Sequence, residues 1–67
     1  MEIKNKKMAK YTALKPFATT KEYLIINGDI VYCEIVEEIT FIYSSTSRQY
    51  LGNLPSELDF SSYLNED

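Results

Sequence analysis

The sequence predicts an all-β fold, a small five-stranded antiparallel barrel that is closed or nearly closed, and three observations carry this prediction. Two apolar, β-favouring runs flank Asn27-Gly28, and both turn residues tolerate the positive φ that a tight reversal demands. Short apolar segments alternate with tight turns, and although periodicity alone allows a helix over residues 30–42, the many β-branched and aromatic residues behind a turn favour strand there. The chain has 67 residues, and closure removes the edges that a flat sheet of this size leaves unpaired.

Turn and breaker residues delimit the predicted strands. Pro16 has no N–H to donate to a strand ladder and restricts the backbone of Lys15, so the first strand ends before Lys15. Gly28 frees the backbone for a long central strand, and Glu37-Glu38 mark a solvated bend at its end. Residues 17–21 are expected to form a loop. The predicted strands are residues 11–14, 23–26, 29–37, 39–44 and 49–51.

The C-terminal part leaves two alternatives open. The stretch Gly52-Asn53-Leu54-Pro55-Ser56 suits a short helical turn that begins at Pro55. The apolar residues beyond it are Leu58, Phe60, Tyr63 and Leu64. Their spacing fits either a last strand with a loose end or a terminal helical turn. The chain is therefore expected to have three parts: a basic N-terminal arm over residues 1–10, the barrel over residues 11–59, and a tail over residues 60–67 that packs on the barrel.

Side-chain alternation predicts which faces are buried. In the long central strand Val31, Cys33 and Ile35 share one face. In residues 39–44 the side chains of Ile39, Phe41 and Tyr43 share the more apolar face of the strand, so we expect this face to point inward. The predicted core consists of Ala13, Ile25, Val31, Cys33, Ile35, Phe41 and Leu54.

The single cysteine indicates the compartment. Cys33 has no second cysteine with which to form an internal disulfide, and its mid-strand position predicts a buried structural thiol. A reducing, cytoplasmic location is expected. The longest apolar run is far too short to span a bilayer, so neither membrane insertion nor a signal peptide is expected.

The formal net charge of −3 hides an asymmetry. Residues 1–10 carry four lysines against one glutamate, a balance of +3, whereas residues 11–67 have a balance of −6. The larger part therefore repels phosphate, and no nucleic-acid partner is expected. Four lysines without arginine or interleaved aromatic residues indicate a solvated arm.

Catalytic and metal-binding arrangements find little support in the sequence. The chain has no histidine, which excludes a Ser-His or Cys-His pair, and one cysteine cannot build a zinc site. Glu37 and Glu38 are adjacent and point apart in an extended turn. Two glycines cannot form a phosphate-cradling loop. We therefore expect no enzyme activity, no metal and no cofactor.

The second face of the long central strand is unusually apolar. Ile30, Tyr32 and Val36 form a stripe where a lone barrel would show polar groups to water. Either a terminal segment covers this stripe, with residues 60–67 favoured over the N-terminal arm because they carry more apolar surface, or the stripe is a second interface for a partner or another copy. The tyrosines are expected to be core residues or groove walls; they are Tyr11, Tyr23, Tyr32, Tyr43, Tyr50 and Tyr63.

Three motifs in order resemble those of a Src-homology-3 (SH3) domain across most of the chain. Ala13-Leu14-Lys15-Pro16-Phe17 is similar to the family signature Ala-Leu-Tyr-Asp-Tyr. Glu22-Tyr23-Leu24-Ile25, followed by Asn27-Gly28-Asp29, is similar to its Glu-Leu-Ser-Phe and Lys-Gly-Asp/Glu stretch. Gly52-Asn53-Leu54-Pro55-Ser56 resembles Gly-Tyr/Phe-Ile/Val-Pro-Ser. The resemblance implies a small β-barrel that acts as an adaptor or scaffold module in signalling.

The resemblance also implies a peptide groove, because aromatic rings of this family receive the ridges of a polyproline helix. Phe17 matches the second Tyr of the signature, Pro55 is the retained proline, and Leu58 stands where the family has a Tyr. The first Tyr is a lysine here, and the groove Trp is missing, with Phe41 the nearest ring. Glu22 is the remaining loop acid.

The combined expectation is a non-catalytic protein-protein interaction module, monomeric or weakly dimeric. It would bind a peptide or protein partner through an altered groove, with weak or no binding of ordinary proline-rich peptides. The alternative is a small structural or inhibitory barrel that forms one interface of an assembly without a peptide groove.

Overall fold

A computed structural model describes residues 6–67, with side chains from residue 8 onward, and this part of the chain is mostly β-strand. The strands are arranged in one five-stranded and one two-stranded antiparallel sheet. In chain order the elements are β1 (Lys6–Ala13), β2 (Phe17–Ala18), β3 (Leu24–Ile25), β4 (Ile30–Val36), β5 (Ile39–Ser44), β6 (Tyr50–Asn53), α1 (Phe60–Tyr63) and β7 (Leu64–Glu66).

The large sheet has the strand order β6-β5-β4-β1-β7, which leaves β6 and β7 at opposite edges. All its neighbours are antiparallel, as predicted, but the sheet does not close into a barrel. On the edge of β6 that faces away from β5, the Thr20 N–H of the β2–β3 connection donates to the Asn53 carbonyl over 2.9 Å. β1 begins at Lys6, so the central part of the sheet includes residues of the basic arm; residues 1–5 lie outside the described part.

The predicted loop at residues 17–21 contains a short strand. β2 pairs with β3, with Phe17 opposite Ile25, and these two strands form the small sheet. The Asn27-Gly28 turn leads from β3 into β4, and the Asp29 N–H donates to the Ile26 carbonyl over 3.0 Å. The turn signal is confirmed, but the strands that it joins belong to different sheets.

A two-residue hairpin between β4 and β5 fixes the register of the large sheet. Val36 lies opposite Ile39, and the two residues between them have positive φ, 51° at Glu37 and 72° at Glu38. Primed turns of this kind match the right-handed twist of paired strands, although glycine or asparagine is the usual occupant. Because directly opposed residues share a face, Ile39 takes the same face as Val36.

This register reverses the expected orientation of β5. Cys33 lies opposite Ile42, and both are buried, at 1% and 0% exposure. Phe41 lies opposite Glu34 and faces outward, half-buried, so its placement in the core is wrong. Ile35 is also only half-buried. The other five predicted core residues are confirmed: Ala13, Ile25, Val31, Cys33 and Leu54.

The small sheet is attached to β6 through Thr19, which is only 4% exposed. Its hydroxyl donates to the Leu51 carbonyl over 2.6 Å and accepts the N–H groups of Lys21 and Tyr23, each at 3.2 Å. Gly52 makes this approach feasible, since a Cβ there would lie 2.5 Å from Thr19 Oγ1. One hydroxyl therefore orders its own loop and joins that loop to the sheet edge.

The C-terminal segment forms both of the alternatives left open by its sequence. Pro55 begins a single turn, in which the Leu58 N–H donates to its carbonyl over 3.0 Å, and the helix comes later, at Phe60–Tyr63. The Asp59 carboxylate organises that helix start by accepting the hydroxyl of Ser62 over 2.7 Å. None of the helical residues in the described chain forms a helix long and apolar enough to cross a membrane.

The tail contributes to the core. Leu64 is 2% exposed and lies opposite Ala13 across β7 and β1. The Phe60 ring meets Tyr11 edge-on, with centroids 5.4 Å apart. The apolar side chains of residues 60–67 thus pack on the core cluster. The expectation that they cover the stripe of Ile30, Tyr32 and Val36 is wrong, because that stripe lies on the other face of the large sheet, where Ile30 is 44% exposed.

We predict that Gly52→Ala destabilises the protein by roughly 2–4 kcal/mol, because it adds a clash with Thr19 to an unfavourable φ of +118°. Gly28→Ala is the matched control: φ is +92°, but no atom lies within 4 Å of the added Cβ. This control should cost only about 1 kcal/mol. Urea unfolding measures the loss of unfolding free energy in both variants. Equal losses would show that backbone conformation, and not the Thr19 approach, decides the requirement at Gly52.

The reversed orientation of β5 is tested by truncating neighbouring side chains. Ile42→Ala removes a fully buried side chain and should cost roughly 2–4 kcal/mol. Phe41→Ala removes a larger side chain than Ile42→Ala does, but from the outward face, and should therefore lower the free energy of unfolding by less. A larger loss of unfolding free energy for Phe41→Ala would contradict the register.

Candidate binding site

The rings expected to form one peptide groove lie on different sides of the large sheet. Phe17 is 6% exposed and belongs to the core, where its ring meets Tyr63 edge-on at 5.7 Å between centroids. Phe41 faces outward, 6.3 Å from the ring of Tyr50. The structure therefore does not bring Phe17 and Phe41 together around a shared opening.

The remaining predicted groove residues also lie apart. Pro55 and Leu58 are linked by the turn between β6 and α1; both are half-buried, and Leu58 packs against the core cluster. Glu22 is exposed in the β2–β3 connection, where it has φ of 63° and donates its N–H to the Thr19 carbonyl over 2.8 Å. A peptide-binding role for these residues stays a prediction.

A different opening runs between the β2–β3 connection and the end of the β5–β6 hairpin, and we refer to it as the groove. It consists of two cavities, of about 430 and about 200 Å³, that share Tyr23, Ser44 and Leu51. The larger cavity is also lined by Lys21, Ser47, Gln49 and Tyr50. The smaller one is also lined by Ile25, Asp29, Ile30, Val31 and Ser45.

The groove combines aromatic walls with hydroxyl groups. Tyr23 is 50% exposed and Tyr50 is 37% exposed, while Leu51 packs against the core cluster. The hairpin that forms the other side is held by Ser44, whose Oγ accepts the backbone N–H groups of Thr46 and Ser47, each at 3.2 Å. The site therefore offers flat apolar surface and hydrogen-bonding groups on an ordered frame.

The two ends of the groove differ in charge. At one end Lys21 Nζ lies 5.3 Å from the centroid of the Tyr50 ring, within the range of a cation–π contact. At the other end the Asp29 carboxylate accepts the Ile26 N–H over 3.1 Å. This polarity can orient a bound chain by its charged groups.

Sequence reasoning did not single out this groove. Its walls, Tyr23 and Tyr50, were among the tyrosines expected to be core or groove residues, but no local pattern joins residues so far apart. The sequence signal that could have indicated this site is the polar hairpin connection at residues 45–48, because such a connection does not cover the Tyr50 ring that follows it.

The predicted second interface lies on what we call the outer face, the side of the large sheet turned away from the core cluster. Its stripe contains Ile30, exposed, with Tyr32 and Val36, both half-buried. Tyr32 lies opposite Tyr43, which lies opposite Tyr50, so three tyrosines form a row across β4, β5 and β6. The structure thus extends the predicted stripe sideways.

Among the described residues, the pKa values of Cys33 and Asp59 are shifted. Burial raises the pKa of the Cys33 thiol from its ordinary value of 9.0 to about 12, so this sulfur is protonated and unreactive at neutral pH. Hydrogen bonds from the Ser62 hydroxyl, and then from Ser61, lower the pKa of the exposed Asp59 carboxyl. Neither group lines the groove.

The groove and the outer face both carry exposed apolar side chains. No protein-family model, curated protein or solved structure matches this chain. Function is therefore inferred from the geometry and chemistry of these surfaces.

We predict that Cys33 reacts much more slowly with a thiol reagent in the native protein than in urea. Because the native pKa of Cys33 is raised, the unfolded thiol ionises first as pH increases. The free energy of unfolding should therefore fall between pH 9 and 12, and less steeply in Cys33→Ala. Chemical unfolding of both proteins across this range measures the difference. Native labelling as fast as unfolded labelling would contradict the burial.

Proposed function

We propose that this chain is a non-catalytic protein-interaction domain that binds an extended segment of a partner protein in the groove. The observation that carries the proposal is the groove itself, an open channel with exposed tyrosine walls at Tyr23 and Tyr50. Its larger cavity falls within the usual volume range of ligand sites, roughly 300–1,000 Å³.

An extended peptide suits this groove for two reasons. Flat tyrosine rings receive proline or aliphatic side chains without ordering many rotatable bonds, since each tyrosine has few of them. The hydroxyl group of Ser47 and the amide of Gln49 offer hydrogen bonds to a peptide backbone, which carries one donor and one acceptor per residue. Together these groups favour a chain over a compact small molecule.

The charges in the groove define a direction. Lys21 favours an acidic group at the end beside Tyr50, and Asp29 favours a basic group at the other end. Both contacts are open to water and contribute little affinity, but they discriminate between the two orientations of a peptide.

The proposal includes a divergent SH3-type arrangement in a cytoplasmic protein. It is supported by five antiparallel strands, short turns and a small sheet that docks on β6 through Thr19. The burial of Phe17 supports the altered groove, because the ring expected to touch a ligand is occupied by Tyr63. The free thiol of Cys33 suits a reducing compartment.

We predict that Tyr23→Ala weakens peptide binding at least about fivefold without unfolding the protein, because Tyr23 is already 50% exposed. Leu24→Ala is the matched control, since Leu24 is 62% exposed and lies outside both cavities. A panel of proline-rich and proline-free peptides, with both charge orders, is titrated into labelled protein and amide shifts are recorded.

Shifts that cluster on residues 21–23 and 44–51 support the proposal. Shifts confined to Phe17, Pro55 and Leu58 would instead place the ligand in the groove that the SH3 resemblance implies. If no peptide of the panel changes an amide chemical shift, the proposed peptide-binding function is wrong.

A further inference from the structure

Three side chains that can donate hydrogen bonds line the larger cavity of the groove: Lys21, Ser47 and Gln49. Among the described residues that line this cavity, none is an acid. Asp29 lines only the smaller cavity, and the exposed Glu22 lines neither. Although the whole chain has a net charge of −3, this cavity therefore favours an anionic group.

Two residues with left-handed backbone conformation place these donors in the cavity. Glu22 follows Lys21 in the β2–β3 connection, and Arg48 lies between Ser47 and Gln49 in the β5–β6 hairpin. Both left-handed residues have φ of 63°, an unfavourable value for a residue with a side chain. In each loop the residues before and after the left-handed one line the cavity, whereas the left-handed one does not. The two loops therefore hold the donors in position before a ligand binds.

Lys21 supplies the positive charge of this cavity. Its Nζ lies 5.3 Å from the centroid of the Tyr50 ring, and within the part of the chain whose side chains are described it has no carboxylate partner. Arg48 is directed elsewhere, with its guanidinium 4.0 Å from the centroid of the Tyr32 ring on the outer face. A ligand in the larger cavity thus meets a single cation that is not neutralised by an ion pair.

The backbone donors beside the cavity are already used within the protein. The N–H groups of Lys21 and Tyr23 donate to Thr19 Oγ1, each at 3.2 Å. The Gln49 N–H donates to Ser47 Oγ over 3.3 Å, which leaves the hydroxyl hydrogen of Ser47 for a ligand. Capture of a terminal carboxylate relies on converging backbone N–H groups. The donors that remain here are on side chains, which suits an acidic side chain of the ligand better than a chain terminus.

The number of charges distinguishes a carboxylate from a phosphate. A phosphoryl group carries close to two negative charges at neutral pH and is typically held by a cluster of arginines. One ammonium with two neutral donors, Ser47 and Gln49, instead matches the single charge and two oxygens of a carboxylate. The rings of Tyr23 and Tyr50 offer apolar surface to the methylene groups of an acidic side chain.

We infer that the larger cavity is a carboxylate pocket, so that the segment bound in the groove carries an aspartate or glutamate side chain at the end beside Tyr50. Lys21 pairs with the carboxylate, and Ser47 and Gln49 donate hydrogen bonds to its oxygens. This inference rests on the proposed function, which supplies the bound segment, and it names the side chain by which that segment is selected.

The test uses short peptides of leucine and proline that differ at one position. All have a lysine at one end, and the other end carries a glutamate, a glutamine or a phosphoserine. Both termini are blocked, which removes the competing terminal carboxylate. Amide shifts of the labelled protein measure each affinity. The glutamate peptide should bind at least about fivefold more tightly than the glutamine peptide. The phosphoserine peptide should bind within about threefold of the glutamate peptide.

Two variants identify the cation that is responsible. Lys21→Gln should abolish the preference for glutamate over glutamine while it changes the affinity for the glutamine peptide by less than about twofold. Lys15→Gln is the matched control, because Lys15 Nζ also lies 5.3 Å from a tyrosine ring centroid, that of Tyr63, and lines neither cavity. This control should keep the full preference. Both lysines are exposed, and circular dichroism checks that each variant is folded.

The outcomes separate this inference from the proposed function. Equal binding of the glutamate and glutamine peptides to the natural chain would overturn the carboxylate pocket and leave peptide binding in the groove intact. A phosphoserine peptide that binds more tightly than the stated margin would show a phosphate pocket instead. A preference that persists in Lys21→Gln would place the recognition of the acid outside this cavity. If no peptide binds, the proposed function is wrong and the carboxylate pocket with it.

Discussion

The contact of Thr19 with Leu51 behind Gly52 is the constraint on which the architecture depends. β2 and β3 have two residues each, and an isolated hairpin of that length is not stable in water. The buried hydroxyl joins this hairpin to the edge of β6, and Gly52 leaves the space for it. The same contact buries Phe17 and Ile25 in the core and occupies hydrogen-bonding groups on the free edge of β6. The groove exists because this attachment places the β2–β3 connection beside the β5–β6 hairpin.

The two-residue turn at Glu37-Glu38 has an equally wide effect. Its length determines which side of β5 faces the core, because a slip of one residue moves every side chain to the other face. With Val36 opposite Ile39, Ile42 enters the core and Phe41 faces outward. The apolar outer face, with its tyrosine row and acidic turn, is therefore a consequence of two residues that carry no apolar surface themselves.

The groove and the outer face share Ile30, and they also meet at Tyr50. Its ring lines the larger cavity, packs 5.6 Å from the ring of Tyr43 and is covered by Lys21, while its hydroxyl donates to the Asn53 side chain. A ligand in the groove would therefore contact a residue that also belongs to the tyrosine row of the outer face.

The sequence by itself determined the all-β class, the limits of β5 and five of the seven predicted core residues, because alternation and turn residues act over a few positions. It also placed the apolar stripe of Ile30, Tyr32 and Val36. Only the tertiary structure decided the orientation of β5, the burial of Phe17 against Tyr63 and the groove. Thr19 and Leu51 are 32 residues apart, and no local propensity reports a hydrogen bond over that separation. Surfaces built from such long-range contacts depend on how the elements pack, which is why the candidate site was the part least accessible from the sequence.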